Sequence, residues 1–133
     1  MQMTLLLALT LHLLSGVFWA GSTFAMARTG AAVADRLFRP QTGAAAVAII
    51  TGGYLWHGLH PSFGTQEQVL ALGALCAILA ISAQVALGSP GLRQPKRAED
   101  KAGPLQARVA LGQRVAAGLL ALTVICMAVA RYI

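Results

Sequence analysis

Four long apolar stretches separated by short polar ones set the pattern of this chain of 133 residues. They cover about residues 4–27, 42–59, 66–87 and 109–132, the last read as a helix that begins near residue 105. A membrane span needs roughly 20 apolar residues at about 1.5 Å each, and each stretch reaches that length, the second with least to spare. Lipid offers no partner to a bare peptide group, so only helices and closed barrels cross it. These stretches are too long and too continuous for barrel strands. The pattern predicts an all-α, integral membrane four-helix bundle, one domain over residues 1–133.

Local chemistry marks the expected boundaries. Pro40 suits the first position of helix 2, where no backbone N–H is needed. Residues 31–38 read as a short amphipathic turn of helix on the membrane surface. Gly58 to Gly64 form a tight connection. Thr65-Gln66-Glu67-Gln68 reads as a capping box, with Thr65 taking an orphan N–H and Gln68 reaching back. Gly88-Ser89-Pro90-Gly91 is expected to end helix 3, and Gly103-Pro104 to restart the chain as helix 4. Ala25-Met26-Ala27 looks like a signal-peptide cleavage site. No basic residue precedes it, however, and the apolar run is longer than a secretory one, so the first helix is read as a retained span.

Composition agrees with a bilayer as solvent. The chain is 57% hydrophobic and 11% charged, with a mean hydropathy of +0.69, where a soluble domain carries about 25% charged residues. The net charge of +6 is not spread as a nucleic-acid surface. Arg28, Arg36 and Arg39 lie between segments 1 and 2. Arg93, Lys96, Arg97, Lys101 and Arg108 lie between segments 3 and 4, whereas the middle connection carries only Glu67. The positive-inside rule then puts the first and third connections in the cytoplasm. The helices alternate as an antiparallel bundle with both termini outside, in a bacterial inner membrane. Arg131 opposes this assignment but can snorkel to the outer headgroups. Arg28, Arg108 and Arg114 gather on the inner side, where a lipid phosphate or another anion is the expected partner. Cys76 and Cys126 both fall in apolar segments, which argues against a disulfide framework.

His12 is the one ionisable residue deep in the first span, and such residues usually have a partner, a ligand or a proton to handle. Counted from the outer end it lies about 12 Å deep, and His57 lies about 5 Å from the same side. His60 falls at the surface. Two ligand readings follow. Imidazole with soft sulfur suits copper, with His12, His57 and His60 as candidate metal ligands. Alternatively, His12 and His57 hold a b-type haem in an apolar slot, with Trp19 and Gly53 lining it. The depths of His12 and His57 differ by about 7 Å, so one flat haem bound by both needs a helix offset. His12, Ser15, Gly16, Trp19 and Thr23 share one helical stripe suited to the bundle interior. Gly52-Gly53 lets a ring or a helix approach closely. The plainer alternatives are a His12 that bonds a Ser or Thr across a helix interface, and cysteines and methionines that only pack.

The frame L-H-L-L-S-G-V-F-W-A-G around His12, Trp19 and Gly21, followed by Arg28, resembles the first helix of the copper resistance D-like membrane family. It also looks like helix 1 of the four-helix bacterial protoporphyrinogen IX oxidases. The resemblance covers helix 1 and the four-span layout. It implies that His12 is the ligand and that Trp19 lines the site. Two departures stand out. Helix 3 lacks the basic residue expected in those oxidases, Gln84 being its main polar side chain, and Ala27 stands where they carry proline.

The reading is therefore a small polytopic protein handling haem b or copper. The alternative is a non-catalytic accessory subunit of a larger membrane complex, and a homo-oligomer is also open. The balance leans away from an enzyme. No span carries Asp or Glu for acid–base work, and Ser15, Ser22 and Ser82 have no triad partner. Haem-linked oxidoreductase chemistry stays open.

Overall fold

The computed structural model describes residues 2–29, 31–59, 62, 64–92 and 102–133. They form four helices, α1 (Gln2–Thr29), α2 (Ala31–Leu59), α3 (Thr65–Leu92) and α4 (Ala102–Ala130). Among the described residues three stretches are long and apolar enough to cross a membrane, Gln2–Thr29, Thr65–Gly88 and Gln106–Ala130. Helix α2 has 29 residues but is not among them. Its apolar run is diluted by Thr42, Gly43, Thr51, Gly52, Gly53, Tyr54 and His57. Helices α1, α3 and α4 are apolar all round, as helices are that face lipid as well as protein. Val17 is 72% exposed and Ile50 71% exposed, a surface that water would not tolerate but hydrocarbon does.

Three boundaries differ from the expected ones. Helix α2 starts at Ala31 and runs through Pro40, so the expected surface turn is the beginning of the same helix. A proline inside a helix frees the carbonyl four residues back. Here that residue is Arg36, on an exposed stretch where water can take the freed carbonyl. Helix α3 continues past Gly88 to Leu92. Gly88 does not cap it; it admits the Phe38 ring, whose Cε2 would lie 3.0 Å from a Cβ there. The cap of α3 is set one residue earlier than the sequence suggested. The Gly64 N–H donates to Glu67 Oε2 at 2.8 Å, and the Gln68 N–H donates to Gly64 O at 3.1 Å. Glu67 thus does the reaching back, and its charge also suits a helix N-terminus.

Two helix pairs make the bundle. Helix α3 packs chiefly on α4 and α1 on α2, and α1 also packs on α4. Helix α2 comes close to α3 and α4 at few points. Trp19 explains that spacing. Its indole is buried among Ala45 and Ala48 of α2, Ala77 and Ala80 of α3, and Ala116 and Leu120 of α4. One large ring among alanines fills the centre and holds α2 and α3 apart. A second small cluster, Met26 and Val109 with Leu37 against them, lies further along α1. Helices α3 and α4 meet through glycines. A Cβ on Gly112 would sit 2.9 Å from the Leu87 Cβ, and one on Gly73 would sit 3.1 Å from the Cys126 Cβ. Small residues of this kind let membrane helices approach closely. Most hydroxyls are satisfied within their own helix. Thr10, Ser15, Thr42 and Ser82 each donate to the carbonyl four residues back.

Candidate functional site

His12 lies against α2. Its Nδ1 is 2.9 Å from the Ala48 carbonyl oxygen. A carbonyl only accepts, so the proton is on Nδ1. Thr51 Oγ1 is a second acceptor at 3.3 Å, its own proton being donated to Val47 O at 2.6 Å. Gly52 makes the room: a Cβ there would fall 3.0 Å from His12 Cε1. In the neutral tautomer that carries its proton on Nδ1, Nε2 keeps its lone pair, and no described residue hydrogen-bonds to it. The ring is therefore held in one tautomer by backbone geometry.

The other sequence candidates do not converge on that ring. His57 is exposed and lies five residues beyond Gly52, about 7.5 Å along the helix. Gly53 is exposed and nothing lies within 4 Å of a Cβ there; the glycine that His12 uses is Gly52. His60 lies outside the described residues. Trp19 shares the His12 stripe but sits about 10.5 Å further along α1, sealed in the alanine core. Arg28, Arg108 and Arg114 are exposed. Cys76 and Cys126 are free thiols and buried. Among the described residues no group of three or more His, Cys, Asp or Glu side chains is placed to hold a metal ion.

A second polar feature joins all four helices. Trp19 Nε1 donates to Gln84 Oε1 at 2.9 Å. Gln84 Nε2 donates to Thr23 Oγ1 at 2.9 Å and to Gln113 Oε1 at 3.2 Å. From α2, Gln41 Nε2 donates to the same two acceptors, at 2.7 Å and 3.3 Å. The Thr23 hydroxyl passes its own proton to Trp19 O at 2.7 Å. These side chains are sealed: Thr23 is 0% exposed, Gln41 and Gln113 1%, and Gln84 2%. Among the described residues, Gln41 Oε1 alone is buried without any partner. Interhelical hydrogen bonds in membranes contribute about 0.6–2 kcal/mol each, so five shared side chains bind the bundle together substantially.

Sequence reasoning singled out Gln84 as the main polar residue of its span but gave it no partner, and it passed over Gln41 and Gln113. The signal was available. A glutamine in an apolar span is expected to find a polar partner on another helix, and here each of three helices carries one. Comparison of the chain with protein-family models, with curated proteins and with solved structures finds no match.

Proposed function

We propose that the chain is a four-span antiparallel bundle of a bacterial inner membrane and that His12 ligates a redox metal centre, b-type haem or copper, through Nε2. The contact pairs Leu5–Gly58, His12–Ala48 and Thr23–Gln41 run in opposite order along α1 and α2, which supports the antiparallel layout. The loop charges support outward termini. Arg28, Arg108 and Arg114 then meet anionic lipid headgroups at the inner surface.

The observation that carries the ligand reading is the Nδ1–H hydrogen bond from His12 to Ala48 O at 2.9 Å. Metal-ligating histidines almost always donate their second ring N–H to a carbonyl or carboxylate, which fixes the ring and raises the basicity of the free nitrogen. Nε2 of His12 meets that condition. Haem or copper, when bound, would supply electron transfer. This chain contributes one oriented imidazole. His57 contributes a second only with an axial offset of about 7.5 Å.

Purified protein in mild detergent tests the reading. Oxidised and dithionite-reduced spectra report haem, and metal analysis reports copper. His12→Asn is the informative variant. Its amide nitrogen can still donate to Ala48 O, but it offers no Nε2. The expected result is loss of the signal with little change in thermal stability. Wild-type protein with no Soret band and no stoichiometric copper overturns the reading.

A second reading rests on the same contact. The His12–Ala48 bond and the bonds between the glutamines are made inside the bundle, as a structural subunit of a larger complex would require. Native mass measurement after gentle solubilisation separates the two, because an accessory subunit carries partner chains and no chromophore.

A further inference from the structure

We propose that Arg114 holds one phospholipid, gripping its phosphate from the lipid-facing side of α4. The proposal rests on the membrane reading above and narrows its anionic partner to a single lipid at a single residue.

Arg114 belongs to the stretch Gln106–Ala130, long and apolar enough to cross a membrane. It lies about 12 Å along the axis from the polar end of that stretch. Its face looks outward. Leu111, Val115 and Leu122 beside it are exposed, whereas Gly112, Gln113, Ala116 and Ala117 are buried in the bundle. An ionisable side chain on such a face is costly in hydrocarbon and marks a site by default.

Among the described residues nothing compensates the charge. None makes an ion pair or a hydrogen bond with the guanidinium. Glu67, the one acidic residue whose side chain is described, caps the start of α3. That is the opposite end of the bundle, since Gly73 of α3 already lies beside Cys126 of α4.

The nearest surface supplies the partner. Met26 of α1, Leu37 of α2 and Val109 of α4 pack together, which brings Arg28, Arg36, Arg39 and Arg108 to one end of the bundle. All four are exposed, and a basic end of this kind gathers anionic lipid. Arg114 lies about 7.5 Å deeper than Val109. Helical side chains lean toward the N-terminus of their own helix, and for α4 that is this basic end. Ala110 and Ala107, on the same face one and two turns back, present only methyl groups along the way. Snorkelling and local thinning of the bilayer close the remaining distance. The guanidinium fork then matches two phosphate oxygens. A carboxylate of a neighbouring protein would fit the same fork, but the aliphatic side chains around Arg114 suit a face that lipid itself covers.

The test uses the full chain in a non-ionic detergent, titrated with phosphatidylglycerol and read by native mass spectrometry. Wild-type protein should carry one lipid in excess of the statistical background. Arg114→Leu should lose that lipid, and Arg131→Leu, just beyond the other end of α4, should keep it. Arg114→Lys keeps the charge without the fork and should hold the lipid more weakly. Without lipid, Arg114→Leu should unfold at the wild-type temperature or above it, because it removes an uncompensated charge. Equal lipid numbers on wild type and Arg114→Leu overturn the proposal alone. A wild type that carries no lipid overturns the headgroup reading of Arg28 and Arg108 as well. Lower stability of lipid-free Arg114→Leu points to a pair within the chain, and a polypeptide that copurifies with the wild type but not with the variant points to a protein carboxylate. Either result overturns the proposal.

Discussion

The Trp19 indole N–H and the Gln84 amide oxygen meet at 2.9 Å across 65 positions of sequence, both inside the bundle. The bond couples packing to polar satisfaction, because the ring that separates α2 from α3 is also the donor that anchors α3. Trp19→Phe keeps an aromatic ring but leaves Gln84 Oε1 without its donor. We expect a loss of about 1–3 kcal/mol for the orphaned acceptor, read by thermal unfolding in detergent with Trp56 as the fluorescence probe. Adding Gln84→Leu should lose less than the sum of the two single changes. Strict additivity would show that the two residues do not interact.

Gly112 of α4 lies close against Leu87 of α3. Gly112→Ala places a Cβ 2.9 Å from the Leu87 Cβ, and neither atom is the end of a flexible side chain. Overpacking of this kind costs about 1–3 kcal/mol. Gly118→Ala is the matched control, since nothing lies within 4 Å of its Cβ position. It should leave stability unchanged or raise it slightly. Equal unfolding temperatures for the two variants would contradict the close contact.

Glu67 caps α3 by accepting the Gly64 N–H at 2.8 Å. Glu67→Ala should lose about 1 kcal/mol, typical of a lost cap, and Gly64 amide exchange should quicken. Glu67→Gln keeps an acceptor oxygen and should retain most of the protection, giving up only the charge–dipole part of about 0.3–1 kcal/mol. Slow exchange at Gly64 in Glu67→Ala would rule the cap out.

Cys76 and Cys126 are each 5% exposed, in or beside the α3–α4 contact. Both should resist a maleimide in native micelles and react quickly once the protein is unfolded in SDS. Gly73→Ala, which presses on the Cys126 Cβ at 3.1 Å, should speed labelling at Cys126. Rapid labelling of the native wild type would contradict the burial.

What the sequence made legible follows from which forces are local. Helices α1, α3 and α4 were plain because apolar residues dominate long runs, and that signal needs no tertiary context. The start of α2 was not. Pro40 and the flanking arginines look like a boundary, yet a proline within a helix is tolerated where the freed carbonyl meets water. The stop expected at Gly88 failed for a tertiary reason: the glycine serves the Phe38 ring on another helix. The His12 stripe was legible from its 3.6-residue spacing, and an interface partner for the imidazole was one of the readings weighed. That the partner is the Ala48 carbonyl was not legible, because a main-chain acceptor leaves no mark in composition. The amide network was hidden for a similar reason. Its bonds join residues 18 to 72 positions apart, and no periodicity links such positions.

The alanine-lined seat of Trp19 has a consequence for how the chain assembles after insertion. Helices α1 with α2 and α3 with α4 share most of the close contacts, so each pair can form as soon as its second member has been synthesised. The indole and the glutamines belong to the later step, when the two pairs join. A defect at Trp19 should therefore leave integration into the membrane intact and stall the joining of two already formed halves, which a protease would find as two separately protected fragments.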